Sequence, residues 1–453
     1  MTKWVIQLGN LGFGGYSPAY WKNAYSSFGN SNQSSVMVSI DLTDPNVLKQ
    51  GTGLATITGT VDQLMKGILN NVMIADTSVG VGGTKLYDIT ASAVTAKACG
   101  TITGGEDAAL YAGNLFYSWN TNIGKTTTAY ASPDEDWWTT VAGGAALTTG
   151  LPHQMVVAGT SGVLYITNGS KVAEWNGTTA TDDSFDTEDS DSVICSIAWT
   201  LNRLWIAANK PNVSGRNEAS VYTWDGNSDS WDNQVKIDGK VGALFVKNSI
   251  PFVFYQKNIS QGVCTLGYVD GMQITDLANY YGSLPLYYQI TSYEDFIIWA
   301  SGTALMAFGG GDLKVNTRLF KLGTCGTGGL ANPFGTPITA SAAKLEKLSG
   351  YTVTSSWNSM LFDVTGNARK SMIDKIKFNF DKIVSAARVD LTVVNSQGTS
   401  LYTGTISTVG TTTKDFYPKR EAENFQLQLS YANGSTTQTV AIRNITIEGH
   451  YII

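Results

Sequence analysis

The chain has 453 residues, more than a single hydrophobic core ordinarily serves, so two or more domains are expected. Hydrophobic residues at 43% suffice for packed cores, while only 15% charged residues, with 48 Gly, 12 Trp, 21 Tyr and 16 Phe, exclude a disordered or coiled-coil chain and favour strands joined by tight turns. A formal charge of −6 without any cluster of Lys and Arg excludes direct sequence-specific nucleic-acid binding.

In chain order, residues 1–53 read as an N-terminal arm. Its first nine residues, Met1 through Gly9, stop being apolar before a signal-peptide core forms, which implies synthesis in a cytoplasm. Apolar runs such as Phe252–Tyr255 and Phe296–Ala300 are far shorter than the roughly 18 residues of a transmembrane helix, so none is expected. Within the arm, Val36–Ile40 is a strand able to pair with a late strand and close a ring of blades.

From residue 54 a repeat sets in. Six apolar runs begin at Val72, Leu115, Leu164, Leu204, Phe252 and Phe296, at spacings of 43, 49, 40, 48 and 44 residues. Each follows a break, among them Gly113-Asn114, Asn202-Arg203 and Asn248-Ser249, whose residue types suit hairpin turns. A second run precedes several of them (Met155–Ala158, Val193–Trp199, Val241–Val246), and further strands follow, as in Lys171–Trp175 and Ser220–Trp224. Four strands every 40 to 50 residues is the period of a propeller blade, so residues 54–340 are expected to form a six- or seven-bladed β-propeller rather than a generic sandwich or solenoid. The six runs should then occupy equivalent strands.

Ser341–Leu348 reads as the one clear short helix of the chain. Beyond it, plain alternation in Ile376–Phe380 and Phe425–Leu429 marks half-buried antiparallel strands, so residues 350–453 are expected to form a small β-sandwich. The fold class is all-β.

Motifs that carry chemistry fail on inspection. Gly124-Lys125-Thr126 ends like a phosphate loop but has Trp119 where the first glycine belongs, and Gly80 through Lys85 lacks both the GxGxxG spacing and a following helix. Asp225, Asn227 and Asp229 open like a calcium loop, yet Ser230 and Lys236 stand where Gly and a bidentate Glu are needed. Cys99, Cys195, Cys264 and Cys325 lie too far apart for a zinc site and read as free, mostly buried thiols. The acidic run 182–191 reads as a solvated loop, with loose cation binding left open. Asp134-Glu135-Asp136 beside Trp137-Trp138 has the ingredients of a sugar site but reads first as an exposed turn, and neither His153 nor His450 is placed like a catalytic base. No catalytic, cofactor-binding or metal residue is therefore assigned. Seven N-x-S/T sequons reflect a chain rich in Asn, Ser and Thr.

The glycine-rich stretch Leu8–Trp21, followed by Ile40-Asp41-Leu42-Thr43-Asp44-Pro45, by Gln50–Leu54 and then by the repeats, resembles virion structural proteins of tailed bacteriophages that carry a β-propeller, of the tail-nozzle and tail-tip kind. The C-terminal segment from Ser355-Ser356-Trp357 to Ile445–Gly449 suits the same layout. The resemblance implies a structural virion component, not an enzyme, that assembles with other virion proteins in a ring or symmetric array and transfers no catalytic residue. Such a component would dock through the sandwich, whose last strand ends in Tyr451-Ile452-Ile453, and truncation after residue 350 would leave a soluble propeller. The competing reading is a carbohydrate-binding or glycan-cleaving propeller that recognises a host surface glycan.

Overall fold

The computed structural model describes residues 3–9, 25–26, 34–44, 46–59, 61, 64–68, 78–82, 85–97, 102–159, 162–210, 217–228, 230–257, 262–311, 317–342, 344–352, 354–363, 370–432 and 434–452. The chain divides into two compact units, one of residues 56–303 and 325–347 and the other of residues 1–55, 304–324 and 348–453.

In the first unit the strands form consecutive antiparallel meanders, the blades of a β-propeller. Met65–Ile68, Ser78–Gly82, Lys85–Ile89 and Val94–Lys97 make one sheet, and Gly105–Tyr111, Asn114–Trp119 and Asn122–Thr127 the next. Then come Met155–Ala158 through Ala180–Asp186, Val193–Thr200 through Asn233–Asp238, and Lys240–Lys247 through Gln273–Tyr281, each four-stranded. The runs at Leu115, Leu164, Leu204 and Phe252 all fall on the second strand of their sheets, and the run at Phe296 on the strand paired to Ile290–Tyr293. The run at Val72 lies outside the described residues; the second strand of its sheet is Ser78–Gly82.

These second strands are aromatic-rich because both of their faces are covered. Leu115, Phe116 and Tyr117, Leu164, Tyr165 and Ile166, and Val253, Phe254 and Tyr255 are all buried in succession, with no alternation. Each blade packs its faces on the blades before and after it, so the core lies between sheets. One apolar cluster joins Tyr165, Val172 and Phe185 to Ile197, Leu204, Tyr222 and Trp224 of the following sheet, and another joins Trp205 and Val221 to Leu244, Val253 and Tyr255. The connecting turns carry positive φ at both central residues, as at Ala112-Gly113, Leu201-Asn202 and Asn248-Ser249, the turn geometry that matches strand twist.

Two expectations are overturned here. Ser341–Leu348 is not a helix: Ile338–Ser341 and Lys344–Tyr351 form a hairpin with Ser341 opposite Lys344. The helix-forming residues are overruled by pairing on both sides of Lys344–Tyr351 and by burial of Leu345 and Glu346, the carboxylate of Glu346 accepting from Ser341 Oγ at 2.8 Å and Lys344 Nζ at 2.5 Å. Nor does Val36–Ile40 close the propeller. Ser34–Val38 pairs with Ser356–Ser359 of the other unit's own sheet, and the early strand placed beside Lys344–Tyr351 is Thr52–Thr56.

Among the described residues, two large sheets lie wholly within the second unit. Lys3–Gly9, Ile442–Tyr451, Ser371–Phe380 and Thr413–Phe416 lie side by side in one, with Arg420–Ala422 also on Ser371–Phe380. The other runs Tyr25–Ser26, Leu361–Asp363, Asn424–Ser430, Ser356–Ser359 and Ser34–Val38, with Val389–Asn395 also on Asn424–Ser430 and Ser400–Ile406 outside it. Alternating apolar residues (Trp4, Ile6 and Leu8; Ile376 and Phe378; Leu427 and Leu429) are buried, and the sheets meet through Trp4 on Phe425 and Tyr402 on Phe416, with ring centroids 6.2 and 6.0 Å apart. The described part of residues 1–53 is thus built into this unit and is no separate arm. Its last strand, Ile442–Tyr451, sits between Lys3–Gly9 and Ser371–Phe380 with Ile445 and Ile447 fully buried, so this strand presents no open sheet edge; Tyr451 and Ile452 are half-buried, and Ile453 lies outside the described residues.

Candidate functional site

Among the described residues, polar groups from the first strands of three propeller sheets converge with a short turn that precedes a fourth. In Gly105–Tyr111 the register slips between Gly105 and Asp107, which places Glu106 in a bulge. Lys66 and Gly67 come from Met65–Ile68, Met155 from Met155–Ala158, and Tyr287 and Tyr288 from the short 3-10 turn Tyr287–Gln289 that leads into Ile290–Tyr293. Gly67 is required at its position, since a Cβ there would stand 2.6 Å from Asp107 Cα.

Glu106 is the hub. Its Oε1 takes the Lys66 ammonium at 2.6 Å, and its Oε2 lies 3.3 Å from the Tyr287 hydroxyl, a contact between residues 181 positions apart. Asp107 accepts from the Met155 N–H at 2.8 Å and the Ala108 N–H at 2.9 Å, while its own N–H donates to Ser118 Oγ. Burial pushes the Tyr287 phenol well above the ordinary tyrosine range, with the charges of Asp107 and Glu106 adding to it, so it stays a donor. Tyr288, whose ring meets Tyr287 edge to face at 5.1 Å, is pushed up to about 12 by burial and by Glu106.

Asp107 is pushed up to about 7, chiefly by burial, with the two N–H donors opposing and the charge of Glu106 reinforcing the rise. An acid held above its unfolded value keeps its proton in the folded chain after the unfolded chain has lost it, so its contribution to stability is complete below 3.8 and is lost as pH rises through about 7. The side chain keeps some contact with solvent, which limits the size of the effect. The urea midpoint is expected to fall between about pH 5 and about pH 8 in the wild type and to fall less in Asp107→Asn; equal slopes in both would remove Asp107 as the cause.

The arrangement is suited to bracing: every carboxylate oxygen named is engaged by a protein donor, and the contacts tie four propeller segments together. Composition and motif spacing do not reveal it. The sequence carries a faint cue in the Glu106-Asp107 and Tyr287-Tyr288 doublets, but nothing in it relates the two.

The residues singled out from the sequence are elsewhere and apart. Trp137 and Trp138 are buried, Trp137 against Phe116 and Trp175 at 5.0 and 4.9 Å, so neither is a stacking platform, and Asp136 accepts from Asn122 Nδ2 at 3.0 Å. Half of the acidic run is strand: residues 182–186 belong to Ala180–Asp186, the fourth strand of its sheet, with Asp183 and Asp186 on Lys171, while residues 187–191 lie outside any strand and Asp189 binds Lys210 at 2.7 Å. Asp225 caps its own turn by accepting from the N–H groups of Asn227 and Ser228; Asp229 lies outside the described residues. Gly124-Lys125-Thr126 lies within the strand Asn122–Thr127, and Ser78–Gly82 is likewise a strand. Cys264 and Cys325 are buried and Cys195 is half-buried, and Cys99 is outside the described residues, as is most of the glycine-rich stretch 8–21. His153 is fully buried among backbone carbonyls, and His450 Nδ1 meets Asp374 Oδ2 at 2.6 Å in the other unit. Among the described residues no group of three or more His, Cys, Asp or Glu could hold a metal ion, and no helix is long and apolar enough to cross a membrane.

No protein-family model and no curated protein matches the sequence. Among solved structures the chain is similar to YCF48 from Cyanidioschyzon merolae, at 10% identity and a TM-score of 0.43 over 65% of this chain and 98% of that one. It is also similar to the extracellular domain of the putative one component system BT4673 from B. thetaiotaomicron, at 11% identity and a TM-score of 0.47 over 92% of this chain and 62% of that one. A third similarity is to Sqt1 of Saccharomyces cerevisiae, at 15% identity and a TM-score of 0.35 over 57% and 72% of the two chains. The likeness concerns the fold and transfers no activity.

Proposed function

We propose that the chain is a structural subunit of a virion, of the tailed-bacteriophage tail type that its sequence layout resembles, and that it acts by assembly with neighbouring virion subunits and not by catalysis. The observation that supports this reading best is the Glu106 brace: Lys66, Tyr287 and two backbone N–H groups already engage the convergent carboxylates, an arrangement that stiffens a scaffold and leaves those oxygens no role toward a substrate. The reading needs no cofactor and places the protein in the particle.

Cryo-EM of native particles tests it. The expected result is this chain in several copies within a symmetric array. Particles that lack the chain would overturn the proposal, as would turnover of a host polysaccharide that disappears on changing Asp134, Glu135 or Asp136 to Ala.

A further inference from the structure

We propose that Asn176 is a site of spontaneous covalent modification, at which the Gly177 nitrogen displaces the side-chain amide as ammonia and water then opens the resulting cyclic imide, leaving an acidic residue on the turn. Asn-Gly occurs at Asn168-Gly169, Asn176-Gly177 and Asn433-Gly434, and the sequence does not rank them. The structure separates the first two; Asn433 lies outside the described residues.

Residues 176–179 join Lys171–Trp175 to Ala180–Asp186, and all of them are exposed. The ends of the turn are fixed by the pairing of Trp175 with Ala180 and by the Trp175 ring against Trp137 at 4.9 Å. Asn176 Oδ1 accepts from the Thr178 N–H at 2.9 Å and the Thr179 N–H at 2.8 Å, so the charge that gathers on Oδ1 as the nitrogen attacks already has its donors in place. Among the described residues neither the Gly177 N–H nor Asn176 Nδ2 has a hydrogen-bond partner, which leaves the nucleophile free to lose its proton and the leaving group free to depart. Gly177, at φ +97°, has no side chain to obstruct the approach. Asn168 differs: it is half-buried, it ends the strand Val163–Asn168 in register with Lys171, and its Oδ1 is held by the Thr148 N–H of a separate loop at 2.8 Å.

In the first step the Gly177 N–H gives its proton to hydroxide, the nitrogen bonds to Asn176 Cγ, and the Cγ–Nδ2 bond breaks as ammonia leaves with a proton taken from water. Water then opens one or the other C–N bond of the imide, giving aspartate or isoaspartate; the net change is amide plus water to acid plus ammonia. The fold already contains the aspartyl product. In the next sheet Trp224-Asp225-Gly226 occupies the place of Trp175-Asn176-Gly177: Trp224 likewise ends a third strand, and Asp225 Oδ1 accepts from the Asn227 and Ser228 N–H groups at 2.8 and 2.9 Å. A carboxylate at position 176 keeps both bonds and strengthens them by its charge, whereas isoaspartate lengthens the backbone between the paired Trp175 and Ala180.

The full chain, held folded across a pH series and sampled over time, tests the site, with peptide mass spectrometry and an isoaspartyl-specific methyltransferase as readouts. Conversion at Asn176 should run at least about tenfold ahead of Asn168 and rise with pH, and the two should convert at comparable rates in urea, where the fold no longer separates them. Asn176→Gln, whose longer side chain closes the imide ring poorly, should remove the fast conversion, and Asn176→Asp should fold with an undiminished urea midpoint. Equal rates at Asn168 and Asn176 in the folded chain, or a difference that persists in urea, would overturn the proposal; a lowered midpoint in Asn176→Asp would overturn the claim that the fold accepts the product. The inference does not use the assembly reading and stands or falls without it.

Discussion

Deleting residues 351–453 is expected to abolish soluble expression instead of releasing a propeller. Among the described residues, the deleted segment holds the strand partner of Lys3–Gly9, from Lys3 opposite His450 to Gly9 opposite Asn444, and the Ser356–Ser359 partner of Ser34–Val38. Trp4, Ile6 and Leu8, each at most 6% exposed, would lose their cover. At about 1.5–3 kcal/mol for each large apolar side chain returned to water, the loss is on the order of 5–9 kcal/mol, comparable to the whole stability of a domain. The soluble fraction after expression and the near-ultraviolet circular dichroism spectrum are the measurements. A soluble monomer with native tertiary signals would show that residues 3–9 and 34–38 find other cover.

His153→Leu is expected to cost about 3–5 kcal/mol. The ring is fully buried, with Nδ1 2.9 Å from the Thr167 carbonyl oxygen and Nε2 2.9 and 3.1 Å from those of Asn120 and Thr148. It therefore clips together the ends of two neighbouring sheets and the loop between them. Leucine fills comparable space but leaves the carbonyls without a donor, and an unmade buried hydrogen bond costs more than a made one contributes. The urea unfolding midpoint, read with its slope, measures the change; a loss below about 1 kcal/mol would mean that water or a backbone shift satisfies those carbonyls.

The sequence by itself determined the blades. A second strand covered on both faces must be apolar without alternation, and that requirement leaves Leu115-Phe116-Tyr117, Leu164-Tyr165-Ile166 and Leu204-Trp205-Ile206 visible as a register, with turn residues between hairpin strands at its margins. Alternation in Ile376–Phe380 and Phe425–Leu429 likewise foretold half-buried strands, because one face of each sheet is covered. What the tertiary structure decided are the matters that depend on distant partners. Ser341–Leu348 carries good helix formers, and only strands on both sides of it make it extended; Val36 looks like any strand until its neighbour is found to be Trp357–Asn358 and not a blade. The Glu106 brace belongs to the same class: Lys66, Asp107, Met155 and Tyr287 meet because three sheets bring their first strands up to the turn that precedes a fourth, and no local pattern of spacing or charge records a contact made across 181 residues.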